Sequence, residues 1–154
     1  TMSFESLEEI LRFAIDREKE AAAFYEDLAR RETFSGARET FGSFAREERK
    51  HESLLNAFLN GEKTLGDYDF KWIPDLKRSN YIVAMSYEEG MGYADILRLA
   101  TKREEASLAL YNELAARADR PEALDLFQML SQEEAKHKLA LETMLDDYLA
   151  GQGD

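Results

Sequence analysis

Cysteine is absent from this chain. Disulfides, thiolate metal sites and a built-in iron–sulfur centre are therefore excluded, while the redox compartment stays open. Proline occurs only 2 times and glycine 8 times in 154 residues, so long stretches carry no helix breaker. No apolar run exceeds five residues, far short of a membrane-spanning helix. Basic residues are outnumbered, 20 against 32 acidic, and do not cluster strongly enough to track a phosphate backbone. With a net charge of −12, nucleic-acid binding is not expected. Met2 reads as an initiator with no secretory leader before it, which sets the expectation of a cytoplasmic protein without membrane attachment. Histidine is scarce too, with only His51 and His137.

Those two histidines close the same five-residue word. The first copy is Glu47-Glu48-Arg49-Lys50-His51 and the second is Glu133-Glu134-Ala135-Lys136-His137, 86 residues later. A Glu-x-x-His step puts carboxylate and imidazole on one helical face, within reach of one metal ion. Acidic helices produce one copy by accident; two copies that use every histidine are hard to ascribe to composition. The same offset pairs Ala14 with Ala100, Arg17 with Arg103, Glu18 with Glu104, Tyr25 with Tyr111, Leu28 with Leu114, Phe41 with Phe127 and Leu55 with Leu141. A chain of this length makes one domain, here residues 1–154. The repeat then implies two similar helical hairpins closing on one core.

Periodicity predicts helices over about 7–31, 36–60, 90–117 and 121–150, with a crossover over 61–89. Ser6 and Glu9 form a capping box ahead of the first, and Pro121 suits the first turn of the last. Gly61 is a natural stop for the second. The crossover carries Gly66, Tyr68, Phe70, Trp72, Pro74 and Tyr81, too aromatic for a disordered linker. Each helix has an apolar seam interrupted near its middle by ionisable residues. Glu18 interrupts Leu7, Leu11, Ala14, Ala21, Tyr25 and Leu28, while Glu48 and His51 interrupt Phe41, Phe44, Leu55 and Phe58. Glu104 interrupts Leu97, Ala100, Ser107, Tyr111 and Leu114, while Glu134 and His137 interrupt Phe127, Leu130, Leu141, Met144 and Tyr148. Four carboxylates facing one another inside a core repel, and each costs several kcal/mol to bury unpaired. Two divalent cations would offset four negative charges, with neutral imidazoles filling the remaining positions. Glu20 and Glu105 are weaker ligand candidates, because neither has a glutamate at its repeat counterpart.

Two Glu-x6-Tyr motifs, Glu18/Tyr25 and Glu104/Tyr111, join the two Glu-x-x-His motifs. With two short links flanking one long crossover, this set resembles the rubrerythrin and bacterioferritin branch of the ferritin-like superfamily. The resemblance spans about residues 7–58 and 93–149, and suggests a stand-alone domain without the rubredoxin tail of many rubrerythrins. It implies an all-α ferritin-like four-helix bundle holding two iron ions, for which zinc or manganese could substitute. Glu18 and His51 would bind one iron, Glu104 and His137 the other, with Glu48 and Glu134 bridging. Tyr25 and Tyr111 would hydrogen-bond near the metals, Glu47 would hold His137, and Glu133 would hold His51.

The implied activity is that of a non-haem di-iron oxidoreductase of ferroxidase or peroxidase type, acting on dioxygen or hydrogen peroxide in an oxidative-stress role. Electrons would come from an external donor protein or from ferrous iron itself, and a homodimer is expected. Iron storage in a ferritin-like cage, substrate oxygenation and a non-catalytic metal-stabilised bundle are the other readings this ligand pattern permits. One departure bears on the choice: rubrerythrins usually carry an extra glutamate one turn after the third-helix ligand, and here that position is Ser107.

Overall fold

A computed structural model describes residues 6–62, 90–118 and 121–152. Four helices account for most of them: α1 (Leu7–Arg30), α2 (Arg38–Leu59), α3 (Tyr93–Ala116) and α4 (Pro121–Gln152). No strand occurs among the described residues. No described helix is long and apolar enough to cross a membrane.

The helix ends follow local chemistry. Ser6 caps α1, its hydroxyl accepting from the Glu9 backbone N–H at 3.1 Å. Gly61 follows α2 at a φ of +79°, the left-handed conformation that glycine adopts without steric cost. Pro121 opens α4, where its missing N–H would have no intrahelical acceptor. Two ends differ from the periodicity. Helix α3 begins at Tyr93 and not near residue 90, because Gly90 sits at φ +94° and Gly92 is extended as the N-cap. The link before α2 is itself a 3₁₀ segment, Glu32–Ala37, broken at Phe34. Phe34 is buried there, edge-on to Phe41 at 6.5 Å and near Tyr93 at 6.1 Å. The crossover expected over 61–89, including Trp72 and Pro74, lies outside the described residues apart from residues 61 and 62.

Helix α1 packs along α2, and α3 along α4, so the chain forms two hairpins. Their seams meet in two separate apolar clusters. One gathers Ile10, Leu11, Ala14, Leu55, Tyr111, Leu114, Phe127 and Leu130. The other gathers Ala21, Tyr25, Leu28, Phe41, Phe44, Ile96, Leu97, Ala100 and Leu141. Along every helix the residues between the two clusters are the ionisable ones, so a polar layer divides the core.

Packing of this kind makes core and surface positions respond very differently to truncation. Phe127 is fully buried whereas Leu139 is 66% exposed. Phe127→Ala should lower unfolding free energy by about 3–5 kcal/mol in urea denaturation. Leu139→Ala should change it by no more than about 0.5 kcal/mol. Similar losses for both variants would contradict the assigned packing.

Candidate metal centre

Seam position alone decides which glutamates enter the layer. Glu18, Glu48, Glu104 and Glu134 are each at most 1% exposed, and His51 and His137 are buried with them. Glu20 and Glu105 stay outside. Glu20 pairs with Arg17 at 2.9 Å and Glu105 is exposed.

The contacts inside the layer are reciprocal under the 86-residue repeat. The Tyr25 hydroxyl donates to Glu104 Oε1 at 2.6 Å, and the Tyr111 hydroxyl donates to Glu18 Oε1 at 2.7 Å. His51 Nδ1 lies 3.5 Å from Glu18 and 3.3 Å from Glu134. His137 Nδ1 lies 3.5 Å from Glu104 and 3.0 Å from Glu48. The two hairpins thus exchange the same contacts across the bundle.

Two groups result. Glu18, Glu48, His51 and Glu134 bring one oxygen or nitrogen each within 4.8 Å of the others, as do Glu48, Glu104, Glu134 and His137. Glu48 and Glu134 belong to both. With the carboxylates ionised, Glu18 Oε2, Glu48 Oε2, Glu104 Oε2, both Glu134 oxygens and His51 Nδ1 are buried without a hydrogen-bond partner. Orphaned acceptors of this kind are costly in a core and suit a cation. Oxygen and imidazole donors without sulfur accept iron, zinc or manganese, so the residues fit a pair of divalent ions.

Protons substitute in part for cations. Burial pushes Glu48 and Glu134 well above the usual carboxylate value of 4.5, and the neighbouring carboxylate charges push the same way. Burial also acts to raise Glu18, but the close approach of Glu48 and His51 outweighs it and brings that carboxyl down to about 2. Glu104 is lowered against burial in the same manner, by Glu134 and His137. For His137, burial opposes the charged form, yet hydrogen bonds with Glu104 and Glu48 lift it to about 11. Burial and then the charges of Glu104 and Glu18 raise Tyr25 and Tyr111 respectively, which keeps both hydroxyls as donors.

The surroundings of the two imidazoles differ. His137 Nε2 contacts Glu47 Oε2, and the Phe44 ring covers the imidazole at a centroid distance of 4.4 Å. The corresponding contact expected between Glu133 and His51 is not formed among the described residues. Instead both line a pocket of about 260 Å³ with Glu47, Lys50, Leu54 and Met129, and Glu133 is half-buried there. Periodicity also left one occupant of the layer unidentified. Arg103 is 4% exposed, with its guanidinium 3.9 Å from Glu48 Oε2 and 4.0 Å from Glu134 Oε2. Its available signal was the repeat pair Arg17/Arg103, one residue before the paired glutamates.

Known proteins resemble this chain in sequence and fold. The family profile described as Rubrerythrin matches residues 2–59 and 95–152. No curated protein matches the chain. Among solved structures it is similar to a hypothetical protein from Pyrococcus furiosus, at 28% identity and a TM-score of 0.72, covering 94% of this chain and 91% of that one. An uncharacterized conserved protein from Magnetospirillum magnetotacticum is 25% identical, with a TM-score of 0.67 and coverage of 93% and 95%. A dodecameric thioferritin, the bacterioferritin-related protein from Bacteroides fragilis, is 18% identical, with a TM-score of 0.71 and coverage of 93% and 86%. The bundle is therefore ferritin-like.

The titrations in the layer set a pH dependence for the metal-free protein. Glu18 and Glu104 are depressed, so their contribution is present above about 4.5 and is lost as pH falls through their folded values, about 2 for Glu18. Glu48 and Glu134 are raised, so theirs is present below about 4.5 and is lost as pH rises through their folded values. That of His137 is complete below about 6.5 and is lost on rising through about 11. With chelator present, melting temperature should peak near pH 4.5, where the Glu18 and Glu104 contribution is complete and that of Glu48 and Glu134 begins to fall. A melting temperature that climbs steadily into the alkaline range would contradict these assignments.

Proposed function

The chain belongs to the rubrerythrin family, and from that premise we propose that it is a non-haem di-iron oxidoreductase that reduces dioxygen or hydrogen peroxide. The observation that carries this reading is the pair of buried Glu/His groups sharing Glu48 and Glu134. Glu18 and His51 would hold one iron and Glu104 and His137 the other, with Glu48 and Glu134 shared between them. When bound, two ferrous ions supply the electrons and the open positions at which the oxidant is reduced.

The protein's own residues supply geometry and charge. Four carboxylates balance two divalent cations, and their places on four helices fix the separation between the two positions. Tyr25 and Tyr111 each hold one oxygen of Glu104 and Glu18, which leaves Oε2 of each free for a cation. Glu47 orients the His137 ring and raises its basicity. The apolar clusters on either side keep bulk water away from the layer. The pocket that His51 lines gives small oxidants and incoming ions a way in. Electrons after the first turnover come from an external donor protein or from fresh ferrous iron, since the chain has no cysteine for a second redox centre. A cytoplasmic homodimer acting against oxidative stress goes with this reading. The thioferritin neighbour is described as dodecameric, so native mass in solution separates a dimer from a storage shell.

Anaerobic loading should give two ferrous ions per chain, oxidised in stopped flow by dioxygen or by peroxide. Glu48→Ala should abolish the second ion, and Glu47→Gln should weaken metal affinity by roughly 10–100-fold. Chelation should lower the melting temperature, because a ligand bound only by the folded state stabilises it. A protein that takes up no iron, or whose bound iron is inert to both oxidants, would sink the proposal.

A further inference from the structure

The repeat makes Arg17 and Arg103 equivalent, yet the structure treats them oppositely. Arg17 turns outward, donating from Nη2 to Glu20 at 2.9 Å, with its guanidinium 4.9 Å from the centre of the Phe13 ring. Arg103 turns inward and, among the described residues, is the only lysine or arginine that is buried. Its Nη1 donates to Ser107 Oγ at 2.8 Å, and its Nη2 donates to the backbone carbonyl of Arg17 at 2.6 Å.

Two sequence differences explain the choice. The counterpart of Glu20 is Ala106, so Arg103 has no outward carboxylate at that position. The counterpart of Ser107 is Ala21, so Arg17 has no inward hydroxyl. Each arginine follows the acceptor available one helical turn away.

The inward choice places a fixed positive charge against Glu48 Oε2 and Glu134 Oε2, the two shared carboxylates, at 3.9 and 4.0 Å. Neither oxygen has a hydrogen-bond partner. We propose that Arg103 is a positioning residue and resident counter-ion of the cage: it steadies Glu48 and Glu134 before metal arrives, and it opposes entry of the second divalent cation. This rests on the dinuclear reading above. Four carboxylates and one guanidinium sum to −3 when all are ionised, so the first divalent ion is attracted and the second leaves the cage with a net positive charge. A cation 4 Å from shared ligands in a buried layer is poorly screened. A second inward arginine would have brought the cage from −3 to −2, and the outward Glu20 contact of Arg17 avoids that.

Calorimetric titration of the metal-free protein with Zn²⁺, alongside thermal melts with and without the ion, separates this role from a plain tie between α3 and α1. Arg103→Met should lower the metal-free melting temperature and tighten binding of the second Zn²⁺ about tenfold or more. The zinc-induced rise in melting temperature should therefore grow. Arg103→Gln, which removes the charge but retains a donor for the Arg17 carbonyl, should show the same tightening and serves if the Met variant does not fold. Arg103→Lys keeps the charge without the planar fork, so its second-ion affinity should stay within about threefold of wild type despite a lower melting temperature. Unchanged Zn²⁺ affinities in Arg103→Met and Arg103→Gln, with equal losses of stability in both metal states, would reduce Arg103 to a tie and overturn the proposal. Wild-type protein that binds no second Zn²⁺ would overturn the dinuclear reading, and this inference with it.

Discussion

Four carboxylates buried in one layer of an apolar bundle are the constraint around which the rest of this molecule is arranged. Water cannot solvate them, and their mutual repulsion grows as the local dielectric falls. The chain responds at each carboxylate separately. Tyr25 and Tyr111 each donate to one oxygen, the imidazoles approach the others, and Arg103 adds a fixed charge. Burial and the neighbouring carboxylate charges push Glu48 and Glu134 up, while Glu18 and Glu104 are lowered. The carboxyls that both groups share are therefore the ones that give up a proton least readily.

That constraint also shapes the packing. An uninterrupted seam would give one continuous core, whereas here the apolar residues separate into a cluster on each side of the layer. Splitting the core costs some contiguous packing. It also removes water from both flanks, which strengthens every electrostatic contact between them. Tyr25 and Tyr111 belong to the apolar clusters by their rings and to the layer by their hydroxyls. They couple metal-ligand position to core packing through a single side chain each.

Much of this was legible from residue order because two independent patterns coincided. Helical periodicity placed Glu18, Glu48, Glu104 and Glu134 on seams, and the scarcity of histidine made the paired Glu-x-x-His words conspicuous. Both depend on the backbone and on composition, which a sequence displays directly. What escaped depends on side-chain direction. A long arginine beside a seam ordinarily reaches back to water, so nothing in the periodicity marked Arg103 as buried. Its inward turn was decided by Ser107 within and by the lack of an acid at Ala106. Sequence symmetry places Glu47 and Glu133 alike, yet only Glu47 contacts the opposite imidazole, since side-chain direction near the surface is not set by the repeat. The 3₁₀ link was missed because Phe34 holds it by packing, not by local propensity.

Ser107 and Arg103 together bear on the departure that the family resemblance exposes. Where rubrerythrins usually carry an extra glutamate, this chain has a serine whose hydroxyl accepts from Arg103. A serine side chain is too short and uncharged to follow a metal between positions. The guanidinium beside it also changes what a carboxylate at that place could do, since an acid there would lie within hydrogen-bond reach of a buried cation and pair with it. The two residues therefore act as one unit: the serine fixes the guanidinium, and the guanidinium fills the region with a charge of the same sign as the metals. Under the proposed dinuclear reading, such a site would keep its ions between the six inward side chains instead of trading one for another. The near-symmetry of the carboxylate contacts of His51 and His137 follows from the repeat, and this fixed pair would preserve it on loading.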